Sequence, residues 1–362
     1  MLTSSLAPYL LWAKSRQPAP IDLAGSNLLP CTIDDLPGAR DALDITAPND
    51  DGFAPLLEAI AAHYGVTSDR VATAGGCSGA NFLVVAALVG AGDEVVLERP
   101  SYDPLEGACR LMGARLVRVD RRFEDGFRLD PDRVRDAITP RTRLVILTSP
   151  HNPSGVTIDA ATLTTVGAAA DRVGAHVLVD EVYLDAANAA GAGAARPAAA
   201  TLDGPFITTS SLTKSYGLAG LRAGWAVAPA GVVARLRRTR DVVDNAGNAP
   251  GDRLAAFAWR HQPALLARAR TLLARNLGVI RAFLDAQPRL EVAEPPAASV
   301  TFPRLAGTPD AAAFIDRLLG EHGVAVAPGR FFDAPAHFRI ALAGDTRRLE
   351  AGLARLDEAL RA

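Results

Sequence analysis

The sequence of 362 residues is poor in lysine and cysteine. Two of its 38 basic residues are lysines, Lys14 and Lys214, so chemistry that needs a primary amine has two candidates. The three cysteines, Cys31, Cys77 and Cys109, show no paired spacing. This excludes a disulfide framework or a zinc knuckle and favours a reducing, cytoplasmic environment.

The sequence also lacks a basic excess and long apolar runs. Its formal net charge of −2 argues against a nucleic-acid or anionic-membrane partner, because such proteins usually carry a basic surface. The apolar runs are far shorter than the roughly 20 residues that span a bilayer, so we expect a soluble protein that acts on small molecules. The apolar stretch from Leu6 to Ala13 is followed by charges and by no cleavage pattern, which predicts an amphipathic arm that packs on something.

Alternation of elements predicts the fold class. Between Arg70 and Val227, β-branched apolar runs alternate with helix-like segments, a pattern typical of an α/β fold with a mostly parallel sheet covered on both faces. We expect strands at residues 94–97, 116–119, 144–147, 176–179, 206–209 and 224–227, and helices at 81–89 and 159–173. The segment 186–200 is rich in alanine and glycine and is predicted to be a flexible surface loop.

The length predicts about two domains. Residues 1–45 are assigned to an N-terminal arm and part of a small domain, residues 46–250 to a large cofactor-binding domain, and residues 251–362 to an interdomain helix and the rest of the small domain. A long helical stretch, rich in arginine, alanine and leucine, is expected from about 251 to 286. The small α+β domain is expected to hold strands at 299–302, 324–327 and 338–342, and helices at 310–322 and 346–361.

Two strand ends carry reactive side chains. Lys214 follows an apolar strand and precedes glycines, a setting in which a desolvated lysine amine forms Schiff bases. Asp180 ends the apolar run at 177–179, and ligands of open α/β sheets bind at the carboxyl ends of strands. Strand alternation places Asp180 and Tyr183 on opposite faces, so both reach one ligand only if the strand ends near Glu181.

Two loops add polar groups. Prolines and a glycine fix the loop at 148–155 and aim the Asn152 amide, whereas His151 is interpreted as an ordinary loop histidine. The glycine-rich turn at 73–81 precedes a helix, so its backbone N–H groups and the Ser78 hydroxyl form a candidate phosphate site. A lysine nucleophile, a carboxylate, an oriented amide and a phosphate turn are together the parts that hold pyridoxal phosphate.

From about Leu23 to its C-terminus, the sequence resembles the class I/II aminotransferases of the fold-type I pyridoxal-phosphate enzymes. The segment from Ser211 to Gly224, which contains Lys214, carries this resemblance most strongly. The resemblance implies a large domain with a mostly parallel, seven-stranded-type sheet and a smaller α+β domain. It also implies transfer of an amino group between an L-amino acid and a 2-oxo acid, by a ping-pong mechanism through a Schiff base at Lys214.

The resemblance also implies roles for individual residues. Lys214 would bind the cofactor and shuttle the proton, Asp180 would pair with the ring nitrogen, and Tyr102 would stack on the ring. Asn152 and Tyr183 would hydrogen-bond the ring oxygen, and Asn152 would also lie near the substrate. Arg339 would hold the substrate carboxylate, and the phosphate would be bound by Gly76, Cys77, Ser78, Ser211 and Arg222.

The sequence departs from the family in places. Phe53 and its neighbours lack the tyrosine that many members donate to the partner subunit's phosphate, Leu56-Leu57 replaces a usual Leu-Arg pair, and Asn27 replaces a frequent glycine. Arg330 is a candidate extra substrate contact. From the family we also expect a homodimer, with the N-terminal arm crossing to the partner.

Two other functions stay open at this point. The first is a carbon–sulfur β-lyase or a cyclase, because the same residues also serve those reactions on this scaffold. The second is a non-catalytic, cofactor-binding member or a domain of a regulator, which the short segment before Leu23 disfavours because it is too short for a winged helix.

Overall fold

The computed structural model describes residues 6–46, 48–191 and 195–362. The predictions for residues 1–5, residue 47 and residues 192–194 lie outside the described residues. The helices are α1 Pro8–Ser15, α2 Ala54–Tyr64, α3 Gly76–Leu88, α4 Asp103–Leu111, α5 Pro131–Ala137, α6 Ala160–Asp171, α7 Leu184–Ala190, α8 Ala230–Val243, α9 Ala249–Trp259, α10 Gln262–Asp285, α11 Ala312–His322 and α12 Thr346–Arg361.

The strands are β1 Ile21–Asp22, β2 Val71–Gly75, β3 Glu94–Arg99, β4 Arg115–Asp120, β5 Thr142–Thr148, β6 His176–Asp180, β7 Phe206–Ser211, β8 Ala223–Val227, β9 Leu290–Glu291, β10 Val300–Thr301, β11 Arg304–Leu305, β12 Val324–Ala325, β13 Ala327–Pro328 and β14 Phe338–Ala341. Short 3₁₀ helices occupy Ile33–Asp35, Ala39–Ala42, Ser68–Arg70, Ala199–Thr201, Ala219–Leu221 and Gly329–Phe332.

A seven-stranded sheet in the order β2-β8-β7-β6-β5-β3-β4 forms the centre of the large domain. Strand β8 runs antiparallel to β2 and β7, and the other neighbouring strands are parallel. This confirms the predicted α/β class and the six strands expected from the sequence. Because β5, β6 and β7 are parallel, their carboxyl ends meet at one edge of the sheet.

Alternating side chains of the central strands explain why both faces of this sheet are covered. In β5, Leu144 and Ile146 pack in the same cluster as residues of α3, whereas Val145 and Leu147 pack with residues of α6. All four side chains are at most 1% exposed. A parallel strand that is buried on both faces reads as a continuous apolar run, which is the pattern that identified these strands.

A second, smaller unit packs α10, α11 and α12 around short strands. Its three-stranded sheet has the order β10-β14-β13, and β1 pairs in parallel with β12. Strand β1, close to the N-terminus, is therefore joined to the C-terminal part of the chain. This pairing agrees with assigning part of 1–45 to the small domain. The exact domain limits near residues 45 and 250 stay a prediction.

Three predicted elements differ from the structure. The helix expected over 251–286 is two helices, because Pro263 in the first turn of α10 has no N–H to continue α9. The first residues of the segment 186–200, predicted as a flexible loop, are helical. Ala186 lies in α7 and packs against α10. The strand expected at 324–327 is divided into β12 and β13.

The N-terminal arm forms α1 and packs on its own chain. The Tyr9 backbone N–H donates to Asp103 Oδ2 at 2.6 Å, and the Tyr9 ring packs in a cluster with Phe332. For residues 6–16 these contacts lie within one chain, and the expectation that the arm crosses to a partner stays a prediction. None of the helices in the described ranges combines the length and apolarity that a membrane crossing requires.

Candidate active site

A cavity of about 470 Å³ lies where β5, β6 and β7 end, between the large sheet and β14. Ten of the eleven site residues predicted from the sequence line it: Cys77, Ser78, Tyr102, Asn152, Asp180, Tyr183, Ser211, Lys214, Arg222 and Arg339. The eleventh, Gly76, lies directly against the Arg222 guanidinium. The fold thus gathers residues separated by more than 250 positions into one space.

Lys214 lies in the turn after β7, with its side chain held by the N-terminal segment. Its Nζ donates to Asn27 Oδ1 at 2.6 Å and to Ser26 Oγ at 3.1 Å. Burial, together with the nearby Arg339 guanidinium, lowers the pKa of Lys214 to about 7. Near neutral pH a large fraction of this amine is therefore uncharged and nucleophilic.

Asp180, the last residue of β6, is buried and held by three donors. Asn81 Nδ2 donates to its Oδ2 at 2.7 Å, and the Val182 N–H and Cys77 Sγ donate to its Oδ1 at 3.1 and 3.3 Å. Burial raises the pKa of Asp180, while the bond from Asn81 acts in the opposite direction. This carboxylate is fixed in place and suited to a cationic ring nitrogen.

Strand β6 ends at Asp180, before Glu181. Asp180 and Tyr183 can therefore reach the same cavity, although strict strand alternation would place them on opposite faces. Tyr183 directly precedes α7, and its hydroxyl oxygen lies 2.8 Å from Ser26 Oγ. Burial raises the pKa of the Tyr183 hydroxyl to about 12, so it is a neutral hydrogen-bonding group. Tyr102, just before α4, lines the same cavity, and burial raises its pKa as well.

The N-terminus of α3 and Arg222 form the cationic end of the cavity. Gly76, with φ of 81°, starts this 13-residue helix, and Arg222 Nη2 donates to the Gly75 carbonyl at 2.9 Å. Free N–H groups and the helix dipole favour an anion here, with the Ser78 and Ser211 side chains at the same wall. The Cys77 thiol does not serve this end, because it donates to Asp180.

Arg339 in β14 is buried and oriented by three acceptors. Its Nη1 donates to Asn152 Oδ1 at 2.6 Å, and its Nη2 donates to the Tyr9 hydroxyl and the Ala24 carbonyl, both at 2.8 Å. Its guanidinium also lies 5.1 Å from the Tyr9 ring centroid. A fixed guanidinium beside the Lys214 amine is suited to hold a substrate carboxylate.

Three further residues that the sequence singled out lie outside this cavity. His151 is fully buried, with Nε2 2.9 Å from the Pro100 carbonyl oxygen and Nδ1 2.6 Å from Ser154 Oγ, as expected of a structural loop histidine. Arg330 is exposed and stacks over Phe331 in a separate surface pocket, so it does not contact this cavity. Phe53 lies under the Arg253 guanidinium, also outside the cavity.

Three residues that hold side chains of this cavity are not predicted from the sequence. Ser26 contacts both Lys214 and Tyr183, Asn81 holds Asp180, and Tyr9 holds Arg339. Ser26 and Tyr9 lie in stretches without a motif, and their partners are 157 to 330 positions away along the chain. Asn81 was placed on the correct helix, and its position one turn after Cys77 was the signal that it faces the same way.

The donor set fits pyridoxal phosphate. The cavity offers a helix N-terminus with an arginine for a dianionic phosphate, a buried carboxylate for a ring nitrogen, and a neutral amine for an aldehyde. Among the described residues, no cluster of histidine, cysteine, aspartate and glutamate has the arrangement of a metal site.

Comparison with known proteins agrees with this geometry. The sequence pattern of the family "Aminotransferase class I and II" matches residues 32–356. Capreomycidine synthase of Streptomyces vinaceus is 34% identical over 80% of this chain and 74% of its own length. Arginine–pyruvate transaminase AruH of Pseudomonas aeruginosa is 32% identical over 76% of this chain and 71% of its own length.

The fold is shared with solved structures as well. A pyridoxal-phosphate-dependent aminotransferase from Streptococcus suis 89-1591 superposes with a TM-score of 0.90 at 26% identity, covering 100% of this chain and 98% of that one. The predicted cofactor and reaction class are thereby confirmed. The chain belongs to the class I and II aminotransferases, which use pyridoxal phosphate to transfer an amino group between an amino acid and an oxo acid.

Proposed function

We propose that Lys214 binds the cofactor and moves the substrate proton in this transaminase. The observation that carries the proposal is the Lys214 amine, whose pKa is about 7, in one cavity with Asp180 and Arg339. An amine that is partly neutral near pH 7 serves first as a nucleophile and, once displaced by the substrate amine, as a base.

When bound, pyridoxal phosphate supplies a carbon that condenses with amines and a ring that accepts the electron pair of the broken Cα–H bond. Asp180 would keep a proton on the ring nitrogen, which would favour this electron acceptance. Arg222, Ser78, Ser211 and the N–H groups at the start of α3 would hold the phosphate. Tyr102 would lie against the ring, and the Asn152 amide and the Tyr183 hydroxyl would hydrogen-bond the ring oxygen.

Arg339 orients the substrate through its carboxylate. Three acceptors fix the guanidinium, so it would hold a substrate carboxylate in one orientation. Lys214 Nζ, which lines the same cavity, would take up the proton of Cα and later give it back. Orientation of the Cα substituents would thus favour deprotonation over decarboxylation.

We also propose that the enzyme is a cytoplasmic homodimer. Cys31, Cys77 and Cys109 are free thiols, as a reducing compartment allows. Two adjoining segments expose large apolar side chains, since Ile45 is 75% and Val242 is 88% exposed. Asn49 links these segments by donating to the Ala246 carbonyl at 2.8 Å. Such a patch is typical of a subunit interface.

Single-turnover spectroscopy tests amino transfer against the β-lyase and cyclase alternatives. A panel of amino acids, mixed with holoenzyme in the absence of an oxo acid, is expected to convert the cofactor stoichiometrically to its amine form and to release one equivalent of oxo acid. Release of pyruvate and ammonia over many turnovers indicates a β-lyase. A cyclised product at the substrate's oxidation state indicates the cyclase, a reaction to consider because one relative is named a synthase.

A further inference from the structure

We propose that Lys14 determines substrate specificity by binding an anionic group at the end of the substrate side chain. The inference rests on the proposed function, because it assigns the substrate class of the same cavity. It concerns the second of the two lysines in the chain, which lies in α1 and lines the cavity that contains Lys214.

Helix α1 places Lys14 at the rim of the cavity. Tyr9, Leu10, Ala13 and Lys14 all line the cavity, and their spacing of one, three and one residues puts them on one face of the helix. Tyr9 fixes this face, because its hydroxyl accepts from Arg339 Nη2 and lies 3.1 Å from the Ala24 carbonyl oxygen. Lys14 therefore lies one helical turn after Leu10, on the wall of the cavity that also contains Arg339.

The charges of the cavity leave Lys14 without a role in holding the cofactor or the carboxylate. The cationic residues that line it are Lys14, Lys214, Arg222 and Arg339, and Asp180 is the one carboxylate among its described lining residues. Arg222 serves the phosphate, Asp180 the ring nitrogen, Arg339 the substrate carboxylate and Lys214 the reaction itself. The remaining cation is Lys14, whose side chain is exposed while it lines the cavity.

Neighbouring carboxylates do not neutralise Lys14. Asp22 pairs with Arg16, and Asp103 accepts from the Tyr9 N–H in a separate surface pocket. Within the described chain, Lys14 Nζ forms neither a hydrogen bond nor an ion pair. A rim with an unpaired ammonium attracts a carboxylate or a phosphate group and repels a cationic side chain.

This assignment separates the chain from one of its relatives. The transaminase AruH acts, by its name, on arginine, whose side chain is a cation. A guanidinium at the rim of the present cavity would meet Lys14, with no second carboxylate among the described lining residues to offset the repulsion. Glutamate, its oxo acid, or a substrate of similar length that ends in a phosphate fits the charge distribution.

Binding of simple acids to the holoenzyme tests the inference without catalysis. By calorimetry, glutarate is expected to bind about two to five times more tightly than pentanoate, the value for one solvated ion pair. Lys14→Gln is expected to remove this difference and Lys14→Arg to keep it. Arg347→Gln, which removes the same charge from an exposed position away from the cavity, is the matched control and is expected to keep it.

Two further arms complete the experiment. The ratio of affinities for 3-phosphonopropionate and glutarate shows whether the preferred anion is a phosphate or a carboxylate, and either preference supports the role of Lys14. The kcat/KM ratio of glutamate to glutamine is expected to fall about two- to fivefold in Lys14→Gln, because the two substrates have nearly the same shape and differ in charge.

Equal binding of glutarate and pentanoate to the unchanged enzyme, or an undiminished difference in Lys14→Gln, would overturn the inference. Failure of the proposed function has a different signature, because then no amino acid converts the cofactor to its amine form while the acid affinities still report on Lys14.

Discussion

Asp180 shows how a single side chain is prepared by its neighbours. Three donors hold its carboxylate at the end of β6, and one of them, Asn81, is fixed in turn by Thr209, whose hydroxyl donates to Asn81 Oδ1 at 2.5 Å. The carboxylate is therefore oriented before the cofactor arrives. Preorganisation of this kind lowers the free-energy cost of placing a charge beside the ring nitrogen.

Asp180→Asn tests this role, because the amide keeps the shape but cannot stabilise a protonated ring nitrogen. We expect kcat to fall about a thousandfold, equivalent to about 4 kcal/mol of activation free energy. Steady-state kinetics with saturating cofactor measures the change. Asp252→Asn is the control, since Asp252 is also buried and accepts from Asn49 but lies outside the cavity. A fully active Asp180→Asn enzyme contradicts the assignment.

The lowered pKa of Lys214 predicts the pH dependence of cofactor capture. In the cofactor-free protein, a lysine with a pKa of about 7 is protonated below pH 7 and neutral above it. The neutral amine is the nucleophile, so the rate of holoenzyme formation should rise through about pH 7 and then level off. Stopped-flow absorbance between pH 5.5 and 9.5 measures this rate. A rise that is centred above pH 9 indicates an ordinary, solvated lysine.

At the scale of elements, the junction of β2 and α3 brings the backbone close to Arg222. Gly76 has φ of 81°, and a Cβ atom at this position would overlap the Arg222 guanidinium. Both the left-handed backbone and the close approach require glycine here. The same turn therefore presents the helix N-terminus and the guanidinium to one anion.

Gly76→Ala should weaken both the fold and cofactor binding. We expect a loss of about 1 to 2 kcal/mol in the free energy of unfolding from the backbone conformation, with a further rise in the cofactor dissociation constant because Arg222 is displaced. Urea unfolding and cofactor titration measure the two effects. Gly79→Ala on the same helix is the control, because its Cβ would make an ordinary 3.7 Å contact with Ala74. Equal behaviour of the two variants would argue against this role.

Elements that follow from local pattern were predicted well, and those that depend on distant contacts were not. The strands of the central sheet and helix α12 appear where apolar periodicity placed them. The segment 186–200 is predicted as a loop because its alanines and glycines carry no amphipathic pattern, yet Ala186 is buried against α10. Tyr9 and Ser26 were missed for the same reason, since their partners come from distant parts of the chain.

At the scale of the whole molecule, the apolar patch around Ile45 and Val242 predicts self-association. Ile45→Glu with Val242→Glu should shift a dimer toward monomer, because burying two uncompensated carboxylates at an interface is costly. Sedimentation at micromolar concentration measures the shift. Leu111→Glu, at a residue that is 49% exposed elsewhere, is the control and should leave the mass unchanged. A wild-type protein that sediments as a monomer would contradict the homodimer.

The central claim is that Lys214, and not Lys14, bonds to the cofactor. Both lysines line one cavity, but Lys214 is the one that the charges of Asp180, Arg222 and Arg339 act on, and burial lowers its pKa to about 7. Borohydride reduction of the holoenzyme, followed by protease digestion and mass spectrometry, identifies the modified lysine directly. The account predicts the cofactor mass on the peptide that contains Lys214, and a label on the Lys14 peptide would contradict it.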